Sequence, residues 1–296
     1  FSAPVGTLSV TLLQGNVPQD EKFDQSHVID AMGWHFGALM RADTDLVLAP
    51  ETAIPLLPEQ LPEGWWERLL AHFAQGRTAA LFGVPLGSLE QGYTNSVLGL
   101  VPGQPQPYRY DKAHLLPFGE FIPPGFRWFV DLMQMPLGDF VRGPLNAPSL
   151  QLGPQRIAPS ICYEDLFGEE LATRFSDPAR APTLLANVSN LGWYDQSTAV
   201  PQHLQFSRLR ALEFQRPMIR ATNTGATVVI DHRGQVSAAL PPFIDGVLVS
   251  RVEGRSGLTP YARWVSAWGL WPWWILLLLM ALVARTYGRK PASAAI

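Results

Sequence analysis

What most limits the fold of this chain is a set of short apolar runs that each stop abruptly at a polar residue. Leu46-Val47-Leu48-Ala49 stops at Pro50-Glu51, Tyr108-Arg109-Tyr110 leads to Lys112, and the stretch from Arg156 to Ile161 stops at Cys162, with Glu164 and Asp165 just after it. Runs this short, rich in branched and aromatic residues and bounded by turn formers, read as buried strands delivering residues to strand-end loops. Segments of helical spacing lie between them, at 24–41 with Asp24 as N-cap, at Trp65–Gln75, at Phe167–Phe175 and at Gln202–Gln215. In the last of these Leu204, Leu209, Leu212 and Phe214 are the apolar candidates. Further strands are expected at Thr7–Gln14, Ala79–Val84, Tyr93–Val101, Thr183–Val188, Met218–Thr222, Thr227–Ile230 and Val247–Val252. Several strands follow one another directly, which predicts a mixed sheet with helices outside and enough strands for two sheets.

Composition narrows the function classes. A net charge of -3, with no basic block before the extreme C-terminus, leaves no footprint for nucleic acid. The six His are scattered singly, so no zinc-type spacing is present and no metal is expected. Cys162 is the only cysteine, which excludes an internal disulfide. It is either a small buried hydrophobe or a reactive thiol.

The end of the chain carries a different signal. The 21 residues from Trp264 to Ala284 hold no charge. As one helix they would span about 31 Å, the thickness of a bilayer core. Trp264, Trp268, Trp271, Trp273 and Trp274 crowd one end, like an interfacial belt, and Arg285, Arg289 and Lys290 follow the other. The expectation is a domain at 1–260, a transmembrane helix at 264–284 and a cytoplasmic tail at 285–296, with the domain on the outer side. That orientation calls for an export or membrane segment before Phe1.

Glu51, Lys112 and Cys162 each stand at a strand end. A carboxylate can take a thiol proton, and an ammonium can stabilise a thiolate and then an oxyanion. If the three meet, they suit acyl transfer; taken singly, Glu51 reads as a solvated loop acid and Lys112 as a surface charge.

These residues also carry a family resemblance. Pro50-Glu51-Thr52-Ala53-Ile54-Pro55, Asp111-Lys112-Ala113-His114-Leu115-Leu116-Pro117-Phe118-Gly119-Glu120 and Ile161-Cys162-Tyr163-Glu164 resemble the Glu–Lys–Cys motifs of the nitrilase superfamily, in that order. Together with Gly15-Asn16-Val17-Pro18-Gln19, Asn187-Val188-Ser189-Asn190, Trp193 and Arg220-Ala221-Thr222-Asn223-Thr224-Gly225, they resemble the apolipoprotein N-acyltransferase family over residues 7–255.

The resemblance implies a four-layer αββα sandwich outside the bacterial cytoplasmic membrane. It also implies transfer of an acyl chain from a phospholipid, through a Cys thioester, to the N-terminal diacylglyceryl-cysteine of an apolipoprotein, with no cofactor. By the same resemblance Cys162 is the nucleophile, Glu51 the general base, and Lys112 the oxyanion stabiliser with the Tyr163 N–H. Glu120 orients the lysine or the substrate, and Tyr163 and Glu164 support the nucleophile. For Glu164 a purely structural partnership is an equal reading. Phe23 stands where the family often has Trp. The apolar stretch Pro117–Pro148, with Phe118, Phe126 and Trp128, suits a lid dipping into lipid, as does Trp193; core packing is the competing reading for part of it. The competing functions are a membrane-anchored amidase and a non-catalytic binding module.

Overall fold

A computed structural model describes residues 1–17, 25–122, 140–194 and 197–287, and for 25–28, 193 and 287 the backbone only. In chain order the first half holds β1 (Ala3–Gln14), α1 (Gln25–Arg41), β2 (Leu46–Leu48), α2 (Trp65–Gln75), β3 (Ala79–Ser88), β4 (Gly92–Leu100) and β5 (Tyr108–Asp111). The second half holds β6 (Leu150–Leu152), β7 (Gln155–Ile161), a 3₁₀ turn at Cys162–Leu166, α3 (Gly168–Ala172), β8 (Leu184–Ser189), α4 (Ala199–Phe214), β9 (Met218–Thr222), β10 (Val228–Ile230), β11 (Val236–Ala239) and β12 (Gly246–Ser256). Two helices follow, α5 (Pro260–Trp268) and α6 (Trp271–Tyr287).

The strands form two six-stranded mixed sheets, ordered β12-β1-β2-β3-β4-β5 and β11-β10-β9-β8-β7-β6. In each, three inner strands run parallel (β1, β2 and β3; β7, β8 and β9) and the flanking pairings are antiparallel. The period-2 pattern sorts the side chains into layers. Val10, Leu12, Leu46, Leu48 and Leu81 pack between the sheets against Ile157, Ile161, Leu184, Val188 and Ile219. The alternate residues Leu13, Val47, Phe82 and Val84 face α1 and α2 with Met32, Leu39, Leu69 and Phe73. Ala158, Leu185 and Met218 face Phe175, Ala211, Phe214, Ala262 and Val265 on the other side. Parallel strands covered on both faces read as apolar runs, which is why β2 is wholly apolar and β8 is apolar at Leu184, Leu185, Ala186 and Val188. The expected two-sheet α/β architecture is the one observed.

Two expectations need correction. The apolar C-terminal stretch is not one helix at 264–284. Thr259 caps α5 by accepting the Ala262 N–H. Tyr261, Ala262, Trp264 and Val265 then pack onto the second sheet's helical layer, so α5 belongs to the domain. Gly269, at φ 55°, ends it, and α6 leaves at 79° to α5. Among the described residues no single helix is long and apolar enough to cross a membrane, though the bent pair passes that test together. In α4, Leu209 and Leu212 are exposed, and the inward face instead carries His203, Ser207, Arg210, Ala211 and Phe214. Polar partners beneath that helix, described below, draw those side chains inward.

Candidate active site

The three strand-end residues come together. Glu51 follows β2, Lys112 follows β5 and Cys162 opens the 3₁₀ turn after β7. Lys112 is 1 % exposed, and its ammonium lies 2.9 Å from Glu120 Oε1 and 3.6 Å from Glu51 Oε1. Burial alone would depress that ammonium. Glu51, the Cys162 sulfur and Glu120 overturn the effect and hold it well above the usual lysine range. Lys112 is therefore a fixed cation between two carboxylates.

Both carboxylates are anchored. Asn95 of β4 bridges them through one amide nitrogen, at 2.8 Å from Glu51 Oε1 and 2.7 Å from Glu120 Oε1. The Asn190 N–H donates to Glu51 Oε2 at 2.8 Å, and the Leu116 N–H to Glu120 Oε2 at 2.8 Å. The close approach of the Glu51 turn to β3 depends on Gly83. A Cβ there would lie 2.5 Å from the Thr52 nitrogen and 2.6 Å from the Pro50 oxygen.

Cys162 sits at φ 56°, a left-handed conformation disfavoured for any side chain. Thr52 and Phe118, in the loops carrying Glu51 and Glu120, share that region at φ 52° and 61°. Such strain concentrates where surrounding structure over-determines a site. The elbow is held by Asn187, whose amide donates to the Cys162 carbonyl at 2.9 Å. Burial, then the negative charge of Glu51, pushes the thiol far above its usual range, and Lys112 and the Tyr163 N–H only partly oppose this. Cys162 therefore rests as a thiol and needs a base to react.

Glu164 touches none of the three. It is buried and accepts four hydrogen bonds: from the Ala113 N–H (2.7 Å) and His114 N–H (3.0 Å) on Oε1, and from the Tyr110 hydroxyl (2.8 Å) and Ile161 N–H (2.7 Å) on Oε2. These bonds tie the lysine-bearing segment to the cysteine elbow. Tyr163 lies with its ring 5.5 Å from the Lys112 ammonium, and its hydroxyl donates to the Leu115 carbonyl at 2.7 Å. Phe118 is partly exposed beside Glu120. Phe23, Phe126, Trp128 and the Trp193 side chain, with most of the expected lid, fall outside the described residues.

Sequence reasoning missed Asn95, Gly83 and the Asn190 N–H. Asn95 had a signal, an amide between Thr94 and Ser96 within the expected strand Tyr93–Val101; the other two act through backbone and had none. The quoted motifs prove to be mutually bonded. The Val17 N–H donates to Asn223 Oδ1 (2.9 Å), and the Asn223 amide donates to the Val17 carbonyl (2.7 Å) and Asn190 Oδ1 (3.1 Å). Among the described residues no group of three or more His, Cys, Asp and Glu is placed to hold a metal ion.

Chemically the arrangement offers a protonated thiol, a carboxylate beside it and a buried cation, the parts needed to open an acyl group and carry it. Residues 9–261 match the carbon-nitrogen hydrolase family. The chain belongs to that family. Among its relatives, the apolipoprotein N-acyltransferase of Verminephrobacter eiseniae (strain EF01-2) is 58% identical over 273 residues, 89% of this chain and 51% of that protein. The apolipoprotein N-acyltransferase of Ralstonia nicotianae (strain ATCC BAA-1114 / GMI1000) is 46% identical over 286 residues, 96% of this chain and 54% of that protein. The chain thus spans about half the length of these relatives. Of solved structures, a nitrilase-superfamily amidase from Nesterenkonia AN1 superposes with a TM-score of 0.61 at 18% identity, over 89% of this chain and 95% of the amidase. The NitFhit protein of C. elegans gives 0.62 at 18%, over 93% and 65%. At that identity these two speak for the carbon-nitrogen hydrolase fold alone.

Proposed function

We propose that this chain is the catalytic part of an N-acyltransferase that moves a fatty acyl chain from a phospholipid to the N-terminal diacylglyceryl-cysteine of apolipoproteins. The observation that carries the chemistry is the gathering of buried Glu51 and Lys112 with the partly buried Cys162 thiol in one electrostatically linked cluster. Two relatives named apolipoprotein N-acyltransferase, 58% and 46% identical, support N-acyl transfer to an apolipoprotein.

In the first half-reaction Glu51 takes the Cys162 proton as the sulfur attacks the ester carbonyl. Lys112 and the Tyr163 N–H stabilise the oxyanion. The carbon–oxygen bond breaks, the lysophospholipid leaves with the proton from Glu51, and the acyl group remains as a thioester. In the second, the acceptor α-amine attacks that thioester and gives its proton to Glu51. The carbon–sulfur bond breaks, the amide departs, and the proton returns to sulfur. Glu120 and Asn95 hold the lysine and the base in place.

A donor embedded in a bilayer fits the C-terminal region. Trp268, Trp271, Trp273 and Trp274 and the apolar run from Ile275 to Val283 are largely exposed. Exposed apolar surface of that extent suits contact with lipid. The exposed helix α6, which leaves the domain after Gly269, is read as the lipid-contacting segment, with Arg285 at its cytoplasmic end and the domain on the outer side of the bacterial cytoplasmic membrane.

The test is acyl transfer to a diacylglyceryl-cysteine peptide. Cys162→Ala is expected to abolish transfer while circular dichroism shows an intact fold. Full transfer by that variant would overturn the mechanism, and release of free ammonia from small amides without transfer would favour an amidase.

A further inference from the structure

Behind the cysteine elbow, on the helix-facing side of the second sheet, lies a buried polar cluster that the chemistry above does not use. Ser160, Asn187 and Arg220 stand in register across β7, β8 and β9. Arg220 is fully buried. It donates to Ser207 Oγ at 2.6 Å, to the His203 carbonyl at 3.2 Å and to His203 Nδ1 at 2.5 Å, all on α4. Its charge is met by Asp165, in the same 3₁₀ turn as Cys162, at 3.5 Å; Ser207 also donates to Asp165. Because His203 Nδ1 accepts from Arg220, its proton sits on Nε2, which faces Asp165 Oδ1 at 3.8 Å. His203 is held neutral, so Asp165 is the charge that offsets Arg220 within the cluster.

Resting on the reading of Cys162 as nucleophile, we propose that Asp165 is a positioning residue acting through Arg220: by cancelling that guanidinium behind the elbow it keeps Cys162 in its thiol form until Glu51 takes the proton. Two buried carboxylates thus flank the nucleophile with different work. Glu164 ties the elbow to the lysine segment, and Asp165 neutralises the cation beneath it. Glu51, Lys112 and Glu120 act on Cys162, and a charge on Cys162 in turn favours the Arg220 cation; the groups around Asp165 are Arg220, His203, Ser207 and Arg210, with Glu164 beside it in the turn. Burial raises Asp165 to about 6, which places the loss of its charge within an accessible range. Once it is protonated, Arg220 is an uncompensated cation that favours the thiolate.

The single cysteine makes the test clean. In Asp165→Asn the pH profile of Cys162 alkylation is expected to move down by about one pH unit. The rate at pH 8 should rise roughly threefold, since the gain in thiolate is partly offset by its lower nucleophilicity. Asp165→Asn/Arg220→Met should return to the wild-type profile. The wild-type protein supplies a test that needs no variant. With a methanethiosulfonate reagent, log rate against pH should run with a slope below one near pH 6, where Asp165 takes up its proton. A unit slope through that region, or an Asp165→Asn profile that coincides with wild type or moves up, would overturn the proposal. Alkylation needs no acyl donor, so these outcomes are independent of whether acyl transfer is observed.

Discussion

Replacing Glu164 by Gln separates a brace from a participant. The carboxylate accepts two N–H groups on one oxygen, and one N–H and one hydroxyl on the other. The better amide orientation puts its NH₂ toward Tyr110, whose hydroxyl can turn and accept. The Ile161 N–H is then a buried donor without a partner, at about 1–3 kcal/mol. The two bonds that persist on the oxygen fall from charge-assisted to neutral, losing roughly 1 kcal/mol each. Against this, burial raises the Glu164 pKa, so removing its charge returns part of the cost. A net loss of about 2 kcal/mol is expected in urea unfolding. Tyr110→Phe, which removes one of the four bonds, should cost about 1 kcal/mol and leave transfer nearly intact. Because Glu164 fixes Lys112 relative to Cys162, transfer by Glu164→Gln should fall by roughly tenfold to a hundredfold. A variant as stable as wild type yet inactive would mean that Glu164 acts in the chemistry, and the bracing argument would fail.

Two further outcomes follow from the same geometry. Gly83→Ala should displace the Glu51 turn, since its Cβ would meet the backbone of Pro50 and Thr52 within 2.6 Å; we expect a stability loss of about 1–3 kcal/mol and at least a tenfold fall in transfer, with iodoacetamide still reaching Cys162. His203 is kept neutral down to about pH 2 by burial and by Arg220, whereas in the unfolded chain it titrates near 6.5, so its contribution to stability is lost progressively as pH falls below 6.5. Asp165 has the opposite sign: its folded value of about 6 lies above the unfolded 3.8, so its contribution is full below 3.8 and lost as pH rises through 6. The two nearly cancel between pH 6 and 4. His203→Gln should unmask the Asp165 limb, gaining stability relative to wild type on acidification across that window by up to about 1.4 kcal/mol per pH unit. Parallel urea midpoints for the two proteins would contradict this.

Much of the fold was legible because the inner strands of both sheets are largely buried on two faces and read as apolar runs. β6 and β11 were not legible, since each is a short edge strand with little burial to mark it. Edges are kept short and polar for reasons of their own. The C-terminal stretch misled because a charge count cannot see Gly269, whose positive φ turns one apolar run into two helices with different surroundings. In α4 the periodicity chose Leu209 and Leu212, but Arg220 and Asp165 pull His203 and Ser207 inward instead, a tertiary demand that no local pattern carries. At the site, Glu51, Lys112 and Cys162 stood out as reactive types at strand ends. The role of Glu164 was undecidable from spacing, because it depends on three backbone N–H groups that any sequence would supply.

The central claim is that Cys162 carries the acyl group. Incubated with a phospholipid of defined acyl composition and no acceptor, the protein should gain the mass of one fatty acid less a water, on Cys162 by peptide mapping. Neutral hydroxylamine should remove it, and an added diacylglyceryl-cysteine peptide should discharge it. Transfer to that peptide with no acyl group ever found on Cys162, or an adduct at a residue other than Cys162, would contradict it.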